Sequence, residues 1–196
     1  MQVKIKKLHP DAVLPTYATP GSAGFELVAV EQTVIEPGET VKIPLGLAFE
    51  IPKGYEMQIR PRSGISLRTK LRQSNSIGTI DSDYRGEVCM MFDNITEYND
   101  SATCYYLNIE GDEIHVSNGS GFLPSGSYII QKGDRVAQGV IAPVIQATFF
   151  ESEKLSDTQR GTGGFGSTGV RTSGFTWNEV DEAQTLRQWS EKASED

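Results

Sequence analysis

Short apolar stretches separated by turn residues recur along most of this chain, and they restrict its fold more than any other feature. The stretches alternate or are rich in β-branched residues, and they include VKIKKL, YEMQIR, EVCMMF, SYIIQ and VAQGVIAPVI. Between them lie turn sequences such as Pro37-Gly38, Pro52-Lys53-Gly54 and Lys132-Gly133. Many short strands with no long helical period between them are typical of antiparallel sandwiches and barrels. We therefore expect a mainly β fold.

Two segments have apolar residues at helical spacing. In residues 63–74, Ile65, Leu67 and Leu71 fall within two turns, which predicts one short helix. In the tail, from Asn178 onward, apolar residues recur at steps of three to four, which also indicates a helix. That tail either docks its apolar stripe or ends the chain as a solvated terminus.

Charge and hydropathy exclude two classes of function. The 196 residues carry 18 basic and 26 acidic side chains, and a surface with the resulting net charge of -8 repels the phosphates of nucleic acid. We therefore expect no nucleic-acid ligand. No apolar run approaches the roughly 20 residues that span a bilayer, so we also expect no membrane segment and a cytoplasmic location.

The thiols and imidazoles are too few and too scattered for two further kinds of site. The cysteines, Cys89 and Cys104, lack the Cys-x-x-Cys spacing of a zinc site, and the histidines are His9 and His115. We interpret both cysteines as free thiols of a reducing compartment. A zinc centre and a Cys–His hydrolase are therefore disfavoured.

A glycine-rich run, RGTGGFGSTG, occupies residues 160–169 and contains the spacing Gly-x-Gly-x-x-Gly. That spacing binds a dinucleotide only where it joins a strand to a helix, and here a polar segment precedes it and no helical period follows directly. A second interpretation is a small anion site, since glycine amides, Arg160 and nearby hydroxyls can contact phosphate and Phe165 can stack on a base. A plain linker is the remaining alternative.

Two more polar clusters follow predicted strands. Residues 61–64, PRSG, can hold a phosphate ahead of a helix, or Ser63 can simply cap that helix. Residues 75–88, NSIGTIDSDYRGEV, contain Asp81, a carboxylate suited to polarise water as a general base. The alternative is an ordinary β-turn in which Asp81 pairs with an arginine.

Taken together and in order, these clusters resemble the trimeric dUTP pyrophosphatase (dUTPase) family. Five of its motifs can be placed on the chain: AGFELVA at 23–29, PRSG at 61–64, GTIDSDYRGEV at 78–88, KGDRVAQGVI at 132–141 and RGTGGFGSTG at 160–169. The resemblance implies a distorted, β-barrel-like jelly roll that forms a homotrimer with shared active sites. It also implies Mg²⁺-dependent hydrolysis of dUTP to dUMP and pyrophosphate, which keeps uracil out of DNA and supplies dUMP for dTMP synthesis.

The resemblance assigns the catalytic step and the base and sugar contacts to four residues. Asp81 would deprotonate the water that attacks the α-phosphorus. Tyr84 would pack on the deoxyribose and leave no space for a 2′-hydroxyl. Asn75 and Gly78 would bind the uracil edge.

The same resemblance assigns the triphosphate to the other motifs. Gln138 would place the α-phosphate or the water, and the phosphate chain would be held by Arg62, Ser63 and Gly64. In the glycine-rich run, which corresponds to a mobile C-terminal arm, Phe165 would cover the uracil. The arm residues that would close over the γ-phosphate are Arg160, Gly166, Ser167 and Thr168. Mg²⁺ would bridge the phosphates, and Glu26 would contact it through water.

Three departures from the family pattern are visible. Glu26 stands where the family usually has Asp, residues 95–131 make a longer connection as in phage-type members, and the chain continues past the usual end. We therefore predict a β-rich domain at 1–159 that contains this insert, the arm at 160–169, and an extension at 170–196 with a short helix. The location would be the cytoplasm of a bacterium or of a virus-infected cell.

Two alternatives to this enzyme remain. The first is a dUTP-responsive regulatory protein that binds a protein partner through residues 95–131 or 170–196. Aromatic residues of the first segment would then be interface anchors, although they can equally form a small satellite core; they are Tyr98, Tyr105, Tyr106, Phe122 and Tyr128. The second alternative is an enzyme related to the dCTP deaminases, which share the fold but whose own motifs are not found here.

Overall fold

The computed structural model describes residues 1–99, 101–115 and 123–169, and within these ranges the chain is mainly β. Residues 1–147 form one compact unit and 148–196 a second. The described part of the second unit, 148–169, contains turns but no helix or strand. The helix predicted from Asn178 onward lies outside the described residues.

Fourteen strands and one helix are present in the described ranges. In chain order they are β1 Lys4–Lys7, β2 Phe25–Val28, β3 Thr33–Ile35, β4 Thr40–Glu50, β5 Tyr55–Pro61, α1 Ser63–Arg68, β6 Leu71–Gln73, β7 Gly78–Ile80, β8 Val88–Asn94, β9 Ala102–Thr103, β10 Tyr105–Leu107, β11 Glu113–His115, β12 Leu123–Pro124, β13 Tyr128–Ile130 and β14 Arg135–Pro143. The prediction of a mainly β fold is confirmed.

The strands form layered sheets and, among the described residues, no closed barrel. Three sheets have four strands each, in the orders β1-β4-β8-β6, β2-β14-β5-β7 and β11-β10-β13-β3, and β12 pairs with β9. Every strand pair is antiparallel except β10 with β13. This arrangement is the jelly-roll-like architecture that the resemblance implies.

The apolar pattern of the sequence explains how the sheets pack. In β8, Val88, Met90 and Phe92 are at most 1% exposed, and the residues between them are half-buried. Such alternation buries one face of a strand and leaves the other available for a site. In the sheet that carries β14, a Cβ on Gly139 would clash with the ring of Phe25 on β2. Glycine at this position therefore lets β2 and β14 lie together.

The predicted short helix is present, but it ends earlier than residues 63–74 suggest. Its last residue is Arg68, and Thr69 then adopts extended backbone. The Thr69 hydroxyl donates to Ile65 O at 2.6 Å and accepts from Leu71 N at 3.1 Å, which closes the helix at this point. The prediction was therefore wrong for Leu71, which lies in β6 and is fully buried.

The aromatic residues of 95–131 do not share one environment. Tyr128 lies in β13, is 4% exposed and belongs to the main core, where its hydroxyl accepts from Lys70 N. It is therefore neither a surface anchor nor part of a satellite core. Tyr98 is 68% exposed, and Tyr105 and Tyr106 are half-buried in β10. Phe122 lies outside the described residues.

Candidate active site

A cavity of about 330 Å³ brings four of the predicted site residues together. Asn75 precedes β7, Gly78 begins it, and Asp81 and Tyr84 follow it. The other described lining residues come from β4, β5, β6, β7 and β8 and the loop before β8: Lys42, Ile59, Gln73, Thr79, Ile80, Glu87, Cys89 and Met91. We call this the hairpin cavity.

The turn between β6 and β7 holds Asn75 at the edge of the hairpin cavity. Gln73 Nε2 donates to Ile59 O at 2.9 Å and to Asn75 Oδ1 at 3.2 Å, so one side chain ties the turn to β5. Gly78 is buried, and a Cβ on it would lie 3.2 Å from Ile59 Cβ. A larger residue there would push β7 away from β5. Gln73 was not singled out from the sequence, since its role appears only once β6 and β5 are adjacent.

Tyr84 is held in place although its side chain is 45% exposed. Its hydroxyl donates to Glu87 O at 3.1 Å, and its amide donates to Asp81 O at 3.2 Å. A Cβ on Gly86 would overlap the phenol ring, so glycine is required beside it. The ring is therefore fixed at one wall of the hairpin cavity before any ligand binds.

Asp81 is exposed and makes no ion pair within the described ranges. The nearest candidate partner by sequence, Arg85, instead donates from Nη1 to Ser82 O at 2.7 Å and to Tyr84 O at 2.8 Å. The alternative in which Asp81 pairs with an arginine is therefore not what the structure shows. Asp81 also borders a larger cavity of about 900 Å³, which contains none of the other predicted site residues.

A second cluster of predicted residues lies on β2, β14 and the end of β5. Arg62 Nε lies 3.1 Å from Glu26 Oε2, and Arg62 Nη1 donates to Arg135 O at 2.9 Å. Gln138 on β14 is directly opposite Glu26 on β2 and opposite Arg60 on β5, so these side chains share one face of the sheet. We call this the Arg62 cluster.

The ion pair of the Arg62 cluster is close but poorly aligned. The side chains of Arg62 and Glu26 are 25% and 18% exposed. Arg62 Nε and Glu26 Oε2 are both buried, and neither has a hydrogen-bond partner of acceptable geometry among the described residues, despite their short separation. Buried polar atoms without partners are costly, so both atoms are available to a ligand.

Ser63 and Gly64 begin α1 next to this cluster. The N-cap is Arg62, with φ −88° and ψ 131°, and no side chain caps the helix. Ser63 is thus the first helical residue, and the alternative in which it caps the helix is wrong. Its side chain is exposed and its hydroxyl makes no hydrogen bond to any described residue, so it can contact a ligand.

The two groups of residues lie at opposite ends of one sheet. On β5, Met57 pairs with Ile80, the residue before Asp81, whereas Arg62 follows the far end of the strand. Five residues separate Met57 from Arg62, which at the rise of an extended strand is roughly 16 Å. Asp81 lies farther still, because β7 runs antiparallel to β5. A single chain therefore does not place Asp81 and Arg62 on the same phosphate group.

The glycine-rich run folds into successive turns. Gly161, Gly166 and Gly169 have φ values of +51°, +90° and +83°, which side chains other than glycine rarely allow. Arg160 Nε donates to Gly163 O at 2.8 Å, and the Phe165 side chain is fully exposed. The described part of the run is not a link from a strand to a helix, which agrees with excluding a dinucleotide site.

The donor set fits a magnesium ion that arrives with a substrate and not one held by protein ligands alone. The described residues contain no group of three or more His, Cys, Asp or Glu side chains that could hold a metal. Mg²⁺ is commonly bound by one or two carboxylates together with substrate phosphates and waters. Glu26, with its unpartnered buried oxygen, can supply such a carboxylate.

Two ionisable groups have shifted pKa values. Burial, with a smaller contribution from Glu87, raises the pKa of the Cys89 thiol in the wall of the hairpin cavity. Burial also raises the pKa of Asp134, just before β14, although the backbone hydrogen bond from Gln131 opposes the shift. Among the described helices, none is long and apolar enough to cross a membrane.

Comparison with known sequences places these features in one family. A family model described as dUTPase matches residues 11–99 and 123–169. The deoxyuridine 5'-triphosphate nucleotidohydrolase of Nautilia profundicola is 46% identical over 169 residues, which cover 86% of this chain and 99% of the relative. The protein of that name from Helicobacter pylori strain J99 is 39% identical over 170 residues, covering 87% and 98%.

Solved structures agree with the sequence comparison. The dUTPase of Staphylococcus bacteriophage 80alpha, solved with dUPNHPP, matches with a TM-score of 0.81 and 33% identity over 86% of this chain and 99% of that chain. The dUTPase from phage phi11 of S. aureus, solved to visualise a species-specific insert, matches with a TM-score of 0.74 and 27% identity over 81% and 100%. A variant of the phi11 protein shows the coordination of a structural Mg(II) ion. On the extent of the sequence match and the shared fold, this chain belongs to the dUTPase family.

Proposed function

We propose that this protein hydrolyses dUTP to dUMP and pyrophosphate in the presence of Mg²⁺. The observation that carries the proposal is the hairpin cavity, in which Asn75, Gly78, Asp81 and Tyr84 line one space and Asp81 has no ion pair among the described residues. The names of the relatives and a phage neighbour solved with a dUTP analogue support the same substrate.

Asp81 is the proposed general base. A carboxylate without an ion-pair partner is free to accept a proton from water, and it can orient that water for attack on the α-phosphorus. Base catalysis of this kind contributes about 10²- to 10⁴-fold in rate. The α-phosphorus–oxygen bond to the pyrophosphate breaks as the new bond to water forms, and Asp81 takes the proton.

The hairpin cavity is proposed to select the base and the sugar. Gly78 packs against Ile59 and leaves no side chain between β7 and the ligand, so the backbone and Asn75 can bind the uracil edge. The Tyr84 ring, fixed by its bond to Glu87 O, presents a flat face to the deoxyribose. A 2′-hydroxyl would meet that ring, which explains the proposed preference for deoxyribose.

The Arg62 cluster is proposed to hold the triphosphate. Arg62, Ser63 and Gly64 would donate to phosphate oxygens, and Gln138, on the same face as Glu26, would place the α-phosphate or the water. When bound, Mg²⁺ offsets the charge that develops on the phosphates during the displacement. Glu26 would hold the ion through water, and its carboxylate oxygen is unpartnered and directed toward Arg62.

The separation of the two groups of residues leads us to propose a homotrimer with shared sites. Because β5 places Asp81 and Arg62 more than roughly 16 Å apart in one chain, the hairpin cavity of one subunit must meet the Arg62 cluster of another. The arm would complete each site, with Phe165 on the uracil and with the γ-phosphate bound by Arg160, Gly166, Ser167 and Thr168. The fully exposed Phe165 ring is suited to such stacking.

The cellular role that follows from this reaction is removal of dUTP from the pool used for DNA synthesis. Its product, dUMP, is the precursor of dTMP. We place the protein in the cytoplasm, where that pool is formed.

A second function is favoured by one gap in the family match. Residues 100–122 fall between the two matched ranges, and the phi11 neighbour was solved to show a species-specific insert. We propose that residues 95–131 include an inserted segment that binds a protein partner. Deletion of residues 97–127 leaves β13 intact and, on this proposal, preserves dUTP turnover while abolishing partner binding.

The experiment that tests the enzymatic proposal measures pyrophosphate release. Purified protein with Mg²⁺ is given dUTP, and separately UTP, dTTP and dCTP, and we expect turnover of dUTP alone. The Asp81→Asn variant should lose about 10²- to 10⁴-fold of that turnover and still bind nucleotide. Glu97→Gln removes a carboxylate at an exposed position outside the cavity and is the control. Equal turnover by Asp81→Asn and wild type would refute the base assignment.

A further inference from the structure

One of the two thiols of the chain lies in the wall of the hairpin cavity. Cys89 is on β8, whose core-facing residues Val88, Met90 and Phe92 are buried, so Cys89 is on the opposite face. There it lines the same space as Asp81 and Tyr84. The sequence alone gives no reason to connect Cys89 with the site, because the connection depends on β8 lying beside the turn that carries Asn75.

We propose that Cys89 is a covalent modification site at which soft electrophiles, such as α,β-unsaturated carbonyl compounds, inactivate the enzyme, and that bound nucleotide protects it. The inference rests on the proposed function, because it takes the hairpin cavity to be the nucleotide site. It goes beyond that function by assigning a chemical reaction to a residue that has no part in hydrolysis.

The reaction needs only the electrophile. The Cys89 sulfur adds to the carbon–carbon double bond of a maleimide, a carbon–sulfur bond forms, and the displaced π electrons take a proton from water at the neighbouring carbon. The thiol proton goes to solvent, so nothing is oxidised and no group leaves. The adduct then occupies part of a cavity of about 330 Å³, which is near the lower end of the range for small-molecule sites.

The surroundings of Cys89 set the rate of this reaction. Burial and the Glu87 carboxylate raise the thiol pKa, whereas Lys42 on the neighbouring strand β4 and the more distant Glu31 make smaller, opposing contributions. Asp81 and Tyr84 are the other ionisable groups of the cavity wall. Since the thiolate is the reactive form, modification is expected to be slow at neutral pH and to accelerate as the pH rises.

The other thiol is an internal control. Cys104 is exposed, does not line the hairpin cavity, and lies 4.0 Å from His115 Nδ1. A reagent that reaches Cys104 from solvent does not need access to the nucleotide site. Bound nucleotide should therefore leave its rate of modification unchanged.

The test treats wild-type protein with N-ethylmaleimide, with and without dUMP, and follows each cysteine by peptide mass spectrometry alongside dUTP turnover. We expect turnover to fall in parallel with the Cys89 adduct. With dUMP at about ten times its dissociation constant, modification of Cys89 should slow about tenfold, while that of Cys104 is unaffected. The Cys89→Ala variant should retain turnover after treatment.

Three results would overturn the inference: no adduct at Cys89 up to mildly alkaline pH, an adduct that leaves turnover intact, or no effect of dUMP on its formation. Turnover of the untreated protein is measured first and judges the proposed function separately. If untreated protein does not hydrolyse dUTP, the proposed function fails. Protection of Cys89 by dUMP then still decides whether nucleotide occupies this cavity.

Discussion

The hairpin cavity and the Arg62 cluster lie on the same sheet and treat their charges in opposite ways. In the cavity, Asp81 is exposed and has no ion pair among the described residues. In the Arg62 cluster, Arg62 and Glu26 are three-quarters or more buried and lie 3.1 Å apart. The first arrangement suits a group that exchanges a proton with water, and the second suits groups that wait for a charged ligand.

The difference shows why neither region is sufficient. A carboxylate that must act as a base is best kept away from arginine, because a nearby cation stabilises the ionised form and weakens the base. The cations that bind triphosphate must nevertheless reach the same substrate. A strand that separates the two regions within one chain, combined with assembly that joins them across chains, meets both requirements.

The largest effect is expected from breaking the Arg62 cluster. Arg62→Ala removes a phosphate donor and leaves Glu26 without a cation, so we expect turnover of dUTP to fall about 10- to 100-fold. The free energy of unfolding should fall by about 1–3 kcal/mol, measured by urea denaturation. Arg60→Ala is the matched control, since it removes the same charge from β5 while that side chain bonds only to Gln58. Equal losses in the two variants would mean that net charge and not the cluster matters.

A smaller effect is expected from Glu26→Asp, which restores the residue that the family usually has. The shorter side chain moves the carboxylate away from Arg62 and changes the position of a water bound to Mg²⁺. We expect the Mg²⁺ concentration for half-maximal turnover to change by up to about tenfold, with the maximal rate nearly constant. A Mg²⁺ titration of turnover measures this, and an unchanged midpoint with a lowered rate would contradict the assignment of Glu26 to the metal.

The smallest effect is expected at Asp134, in the turn that leads into β14. Burial raises its folded-state pKa above the ordinary value of 3.8, so the protonated form is favoured in the fold. Its contribution to stability is therefore fully present below pH 3.8 and is lost as the pH rises through the folded pKa. Relative to wild type, Asp134→Asn should gain stability over that rise, by no more than about 0.5 kcal/mol. Urea midpoints of both proteins from pH 4 to 7 measure the difference, and a relative loss for the variant would contradict it.

Much of the hairpin cavity could be predicted from the sequence because its key residues are close together in the chain. Asn75, Gly78, Asp81 and Tyr84 fall within ten positions, and one turn with one strand brings them to a common space. The mainly β fold was predictable for a similar reason, since alternation such as that of β8 is a local property.

The parts that could not be predicted depend on contacts between distant segments. Lys42, Gln73 and Cys89 enter the cavity wall only through the pairing of β4 with β8 and of β6 with β8. The ion pair of Glu26 with Arg62 requires β2, β14 and β5 to be neighbours. The early end of α1 depends on the Thr69 hydroxyl, whose two bonds a helical pattern does not reveal.

The measurement that tests the central claim most directly is complementation between two inactive chains. Asp81→Asn and Arg62→Ala chains are expressed together with different tags, and assemblies that carry both tags are purified. If each site joins the hairpin cavity of one subunit to the Arg62 cluster of another, every mixed trimer contains one intact site, and turnover should recover to about one third of wild type. Turnover no higher than that of either variant alone would show that both regions act within a single chain and would contradict the account.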